Sequence, residues 1–214
     1  NSGACRPPRC RLRRSRSQCM SDFGSTSREN PFAVRAVRPG AISFVFPGGS
    51  DAKLLVDQFL AAGRRGQIVG PHGSGKSTLL AALSDELRER GIPVRLVELH
   101  DGCRAMPEGA AAQPGEVMMV DGYEQLGVVA RSKLAFDVAR RQAALLVTSH
   151  RNVRWPVALP VLYATESSPE LAQRLAESLL AASAHPEAVS AAEVRAVYEA
   201  ERGNLREVFF RLYD

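Results

Sequence analysis

The chain has 214 residues, 45% apolar and 24% charged, enough for one α/β domain with a small appendage. Its net charge of +5 does not describe the body, because Arg6, Arg9, Arg11, Arg13, Arg14 and Arg16 crowd the first 19 residues without an acid. The rest holds 22 basic against 23 acidic residues, so charge gives no case for nucleic-acid binding by the body, and no apolar run reaches the 18 residues of a membrane-spanning helix.

Cys5, Cys10 and Cys19 share that basic tail and lack the paired spacing of a zinc site. Cys103 is the one cysteine beyond it, which excludes a disulfide framework within the body and suits a reducing cytoplasm, the expected location. The first methionine is Met20. Translation is expected to start there, with residues 1–19 read from upstream; the alternatives are a disordered basic arm or a targeting peptide, whose usual amphipathic or apolar core the stretch lacks. Residues 1–30 are polar and are expected to be disordered.

Residues 31–49 surround the apolar run Ile42 to Phe46 with prolines and glycines and read as an ordered loop or edge strand. Ser50 is placed to cap a helix over 51–62, stopped by Gly63. Gln67 to Val69 reads as a short strand, followed by a glycine-rich turn and a helix to Arg90 whose stripe is Leu79, Leu80, Leu83 and Leu87. Strands follow at 94–99 and 117–120, a helix at 131–142, and strands at 144–148 and 161–164. Beyond Thr165 only helices are expected: Ser168-Pro169-Glu170 opens one, the capping box Ser190-Ala191-Ala192-Glu193 a second. Gly203-Asn204 separates that helix from a last one ending near Tyr213. Strands alternating with helices imply a parallel sheet covered on both faces.

The turn Gly70-Pro71-His72-Gly73-Ser74-Gly75-Lys76-Ser77-Thr78 matches G-x-x-x-x-G-K-[ST] in full, with a strand before it and an amphipathic helix after. Glycines let successive backbone N–H groups converge on phosphate oxygens, and the helix N-terminus adds partial positive charge. In that arrangement Lys76 reaches the β/γ-phosphates and Ser77 holds Mg²⁺ through its hydroxyl. A bound nucleoside triphosphate is therefore expected.

Asp121, after four apolar residues, has the layout of a strand-end carboxylate in the Mg²⁺ shell, the Walker B position. Hydrolysis also needs a group that orients water. Gly122 stands where many such ATPases carry a glutamate, and the nearest acid is Glu124. Glu124 either reaches the water or is a solvated helix acid. Thr148 or Ser149, at the end of the next strand, is placed to sense the γ-phosphate. A lone histidine such as His150 is more often structural. Arg151 and Arg154 either act on a neighbouring subunit's nucleotide or are solvated.

These residues resemble the additional-strand class of P-loop NTPases, in particular AAA+ and signal-transduction ATPases. The resemblance covers about residues 31–214. It implies a three-layer α/β/α fold with a mainly parallel five-stranded sheet, an ATP-binding domain over 31–166 and a helical lid over 167–214. Asp121-Gly122-Tyr123-Glu124 looks like a D-G-x-[DE] form of Walker B. Gly203-Asn204-Leu205-Arg206-Glu207 is similar to a lid segment whose arginine contacts the γ-phosphate, which implies that role for Arg206; a solvated surface arginine is the alternative. Asn30-Pro31-Phe32 is similar to segments that cover adenine. The chain lacks an LSGGQ signature and an N-K-x-D guanine-reading motif, so ATP is expected over GTP.

Three functions compete. The first is an Mg²⁺-dependent ATPase driving a conformational or assembly cycle, with Glu124, Lys76, Thr148 and Arg206 as its catalytic groups. The second is an ATP-ordered switch that does not hydrolyse, and the third a small-molecule kinase. A protein partner is expected, and self-association is left open.

Overall fold

The computed structural model describes residues 11–13, 44–46, 50–154, 157–181 and 189–212, and of 11–13 only the backbone. The adenine-covering segment Asn30-Pro31-Phe32 lies outside them, as does most of the basic tail. Contacts divide the chain into two compact units. The first holds, of the described residues, Arg11–Arg13, Phe46, 50–70 and Leu80–Ala164. The second holds Phe44, Val45, Pro71–Leu79 and the described residues from Thr165 on.

The first unit is built on a sheet. Its strands are β1 (Arg11–Arg13), β2 (Arg65–Val69), β3 (Val94–Glu98), β4 (Val117–Asp121), β5 (Ala144–Ser149) and β6 (Val161–Ala164). They lie in the order β1-β3-β4-β5-β2-β6. Strands β2 to β6 run parallel, and β1 joins the outer edge of β3 antiparallel. The five-stranded parallel sheet agrees with the sequence; β1 departs from it, since residues 1–30 are expected to be unstructured. An edge strand presents a row of open N–H and C=O groups, and Arg11–Arg13 pairs with that row on β3.

The central strands show why the sheet is covered twice. Residues 117–120 of β4 and all six residues of β5 are buried, the near-continuous apolar run of a two-sided parallel strand. Side chains alternate between faces. Met118, Val120, Leu145 and Val147 meet Leu134 and Val138 of a helix over Val128–Arg140. On the other face, Leu146 and Phe59 both come within 3.5 Å of where a Cβ on Gly66 would stand. Phe59 belongs to helix α1 (Ala52–Ala61). Helices therefore lie on both faces of the sheet. Fully burying each such leucine or phenylalanine is worth roughly 1.5–3 kcal/mol.

Two boundaries differ from the sequence reading. Asp51, not Ser50, caps α1, its carboxylate accepting from Leu54 N–H at 2.7 Å; both residue types suit the position. The helix expected from Arg131 starts at Val128, with Gly127 at its N-cap. This helix is α3, and α2 is Lys76–Glu89.

The second unit contains α4 (Pro169–Ala181), α5 (Ala191–Ala200) and α6 (Leu205–Arg211). Ala172, Ala176, Val194, Leu205 and Phe209 form its core. Ser190 Oγ accepts from Glu193 N–H at 3.2 Å, the first half of the expected capping box.

A buried glutamine ties the sheet to the loop beyond β5. Gln67, fully buried on β2, sends its amide nitrogen to Asn152 Oδ1 (2.7 Å), Val153 O (3.1 Å) and Leu159 O (2.5 Å). Its amide oxygen accepts from Val153 N–H at 2.9 Å. Gln67→Leu would strand these groups, each unsatisfied one costing about 1–3 kcal/mol. We expect urea denaturation to show a loss of about 3 kcal/mol or more; a variant as stable as wild type would mean the loop finds other partners.

Candidate functional site

Parallel register sets the carboxyl ends of the strands along one edge. Val69 pairs with Ser149, Val120 with Val147, and Glu98 with Asp121. Strand β5 thus lies between β2, which feeds the glycine-rich turn, and β4, which ends on Asp121. Ligands of open parallel sheets bind beyond this edge. Gly70 leaves it with its N–H on Ser149 O at 3.2 Å.

The turn itself is in the second unit. Gly73 (φ +69°) and Gly75 (φ +90°) are left-handed, the conformation that lets a chain curl with its N–H groups inward. Pro71 and His72 are exposed, and Ser74 is buried. Ser74 Oγ bonds Pro71 O at 2.9 Å and shares a 2.6 Å hydrogen bond with Thr165 Oγ1. Lys76 is only 7% exposed, and its amine donates to Pro71 O at 2.5 Å. The ammonium therefore folds back over the turn. Ser77 and Thr78, half-buried, occupy the first turn of α2.

Two contacts within the unit hold the turn. The ring of Phe44 lies 3.4 Å from where a Cβ on Gly75 would be. Asn204 sits on Gly73: a Cβ there would clash with its Oδ1 and lie 3.1 Å from its Cα. The same Oδ1 accepts from Arg206 N–H (3.2 Å) and Glu207 N–H (3.5 Å), capping α6. Gly73→Ala must therefore move the cap and also hold an L-residue at positive φ. Together these cost about 2 kcal/mol, which we expect as a lower thermal midpoint; an unchanged midpoint would show that Asn204 shifts freely. Arg206 is exposed, with its guanidinium 5.7 Å from the centre of the Phe210 ring.

The first unit carries the acids. Asp121 ends β4 half-buried, and Oδ1 accepts from Thr148 Oγ1 at 2.5 Å. Thr148 Oγ1 in turn accepts from Gly122 N–H at 2.9 Å. Thr148 is thus locked onto Asp121, whereas Ser149, fully buried, donates to Arg151 O at 2.7 Å. Among the described residues no group of three or more His, Cys, Asp or Glu could hold a metal alone. A magnesium shell made of one hydroxyl, phosphate oxygens and waters needs no such group, and Asp121 Oδ2 takes no hydrogen bond among the described residues.

Gly122 has a structural reason for standing after Asp121. Its φ is +79°, and a Cβ there would come 2.8 Å from Leu99 O. No glutamate fits that position. The chain turns instead through a single 3-10 turn, Tyr123–Gln125, which carries Glu124.

Glu124 does not behave as a solvated helix acid. Its Oε1 lies 2.7 Å from His150 Nε2, each side chain about three-quarters buried. Its Oε2 is buried and has no hydrogen-bond partner among the described residues. An orphaned buried carboxylate oxygen is a costly feature that points to a role. Sequence alone gave no sign of this pairing, because 26 positions separate the two residues. Arg131 on α3 supports the turn from behind, donating to Glu124 O at 2.9 Å and lying 5.2 Å from the Tyr123 ring centre. Burial pushes the Tyr123 phenol above its ordinary range, against the opposing pull of Arg131. Arg151 and Arg154 are exposed.

No protein-family model matches the chain, and no curated protein matches it. Solved structures do. RuvB of Thermotoga maritima, a Holliday junction branch migration motor, superposes with a TM-score of 0.52 at 15% identity, over 74% of this chain and 57% of that one. AMPPCP-bound DnaA from Aquifex aeolicus gives 0.52 at 16%, over 78% and 62%. NtrX from Brucella abortus in complex with ATP gives 0.54 at 14%, over 79% and 50%. The chain spans between half and about three-fifths of these proteins. The chain shares with them a three-layer α/β/α P-loop fold.

Proposed function

We propose that the chain binds ATP with Mg²⁺ and hydrolyses it to drive a conformational or assembly cycle. The observation that carries this reading is the turn at 70–78. It combines a full G-x-x-x-x-G-K-S-T motif, left-handed glycines, a buried lysine and the N-terminus of a 14-residue helix. Backbone N–H groups of Gly73 to Lys76 hold the β-phosphate, and the Lys76 amine leaves Pro71 O for the β/γ-phosphate oxygens. Ser77 and Asp121 are the residues for the metal, which when bound neutralises charge developing on the phosphate oxygens. Glu124, held by His150, orients a water onto the γ-phosphorus and takes its proton as the bond to the β-phosphate oxygen breaks. Thr148 fixes Asp121 in the free chain and senses the γ-phosphate by turning its one hydroxyl proton from Asp121 to a phosphate oxygen. Arg206 turns from Phe210 to the γ-phosphate once it is present. In this reading residues 31–166 form the ATP-binding domain and 167–214 its lid.

The switch reading has in its support that Gly122 stands where many such ATPases carry a glutamate, but the positive φ and the approach to Leu99 O give a steric reason for glycine there. The kinase reading lacks a clear acceptor motif in the sequence. Phosphate release from ATP with Mg²⁺ separates the three. Release without any acceptor is the expected result. Tight binding without release would favour the switch, and release or transfer only with an added metabolite would favour a kinase.

A further inference from the structure

Helix α3 is apolar on two sides. Leu134 and Val138 face the core, yet Val128, Val129 and Phe136 are 49%, 68% and 70% exposed. Three such residues on one helix are more than the scattered exposure of an ordinary surface. Beside Val129 a cavity of about 500 Å³ opens between α3 and the loop over 104–111, with Met106, Ala110, Ala130 and Leu134 in its walls.

Two cations line this cavity, Arg104 and Lys133. Neither side chain makes an ion pair or hydrogen bond among the described residues. The one acid in the lining, Asp137, is already engaged. Its Oδ1 accepts from Arg141 Nε at 2.7 Å and its Oδ2 from Ala112 N–H at 3.2 Å, and Arg140 lies 3.9 Å from Oδ1. Uncompensated charge at the cavity is therefore positive. Val129, Lys133 and Phe136 recur at helical spacing on one stripe, and Val129 to Phe136 spans about 10 Å. That is the reach of about three residues of extended chain.

We propose that this face docks an acidic–apolar peptide segment of a partner protein. One apolar side chain enters the cavity, a neighbouring carboxylate lies between Arg104 and Lys133, and a second apolar side chain rests along Val129 and Phe136. A second copy using the same face in two-fold pairing would bring Lys133 and Arg104 against their own equivalents. Like charges facing each other oppose that arrangement.

The test is selection of a random peptide display library on the full chain, with the enriched peptides measured against Val129→Ser, Phe136→Ser and Lys133→Glu. All three positions are exposed, and circular dichroism checks their folding. Enriched peptides are expected to pair Asp or Glu with Leu, Ile or Phe. Their affinity is expected to fall about tenfold in each variant, and acid-to-lysine versions to bind Lys133→Glu better than wild type. Failure to enrich, enrichment of basic peptides, or equal binding to all three variants would overturn the proposal. So would light scattering that shows a dimer dispersed by Phe136→Ser, which would assign the face to a second copy.

Discussion

Glu124→Gln is expected to slow ATP hydrolysis by about 10²-fold or more while leaving ATP bound. Glutamine keeps the shape of the side chain and can still reach His150, but it cannot accept the proton of an attacking water. The proposed role rests on two observations: Oε1 is 2.7 Å from His150, and Oε2 is buried without a partner among the described residues. His150→Gln should lower turnover as well, by less, because it loosens Glu124 without removing the base. Glu108→Gln, on the exposed loop before β4, is the control and should keep wild-type turnover. Equal rates in Glu124→Gln and wild type, read by phosphate release, would mean that another group positions the water.

Lys76→Ala is expected to weaken ATP binding by roughly 30- to 1,000-fold. Losing a charge-assisted hydrogen bond to phosphate costs about 2–4 kcal/mol. Lys76 is 7% exposed and its amine is already turned over the loop onto Pro71 O, so it exchanges one oxygen acceptor for another when a phosphate binds. Displacement of a fluorescent nucleotide analogue gives the ratio directly. A variant within about threefold of wild type, less than 1 kcal/mol, would remove Lys76 from the site.

Local chemistry was legible in the sequence where it depends on neighbours in the chain. The turn at 70–78 and the caps at Ser168 and Ser190 are of this kind, each needing only residues within one turn of helix. The alternation of strands and helices gave the parallel sheet, and the apolar run at 117–120 showed that β4 is covered twice. What depends on distant pairs was hidden. Glu124 and His150 meet because β4 and β5 are adjacent in the sheet, an adjacency no spacing encodes. Gln67 read as an ordinary strand residue, although its amide organises the loop from Asn152 to Leu159. Asn204 was legible as a helix break, but its seat on Gly73 was not. Gly122 read as a missing catalytic residue. Its steric reason, the approach to Leu99 O, exists only once β3 and β4 are paired. The pairing of Arg11–Arg13 with β3 was missed because a basic tail carries no apolar alternation to announce a strand.

The most direct measurement is a calorimetric titration of the full chain with ATP in the presence of Mg²⁺, run beside adenosine, which lacks phosphates. The phosphates are the part of the ligand that the turn at 70–78 is built to hold. The account predicts saturable binding of ATP at one site per chain and much weaker binding of adenosine. Absence of ATP binding, or adenosine binding as tightly as ATP, would contradict it.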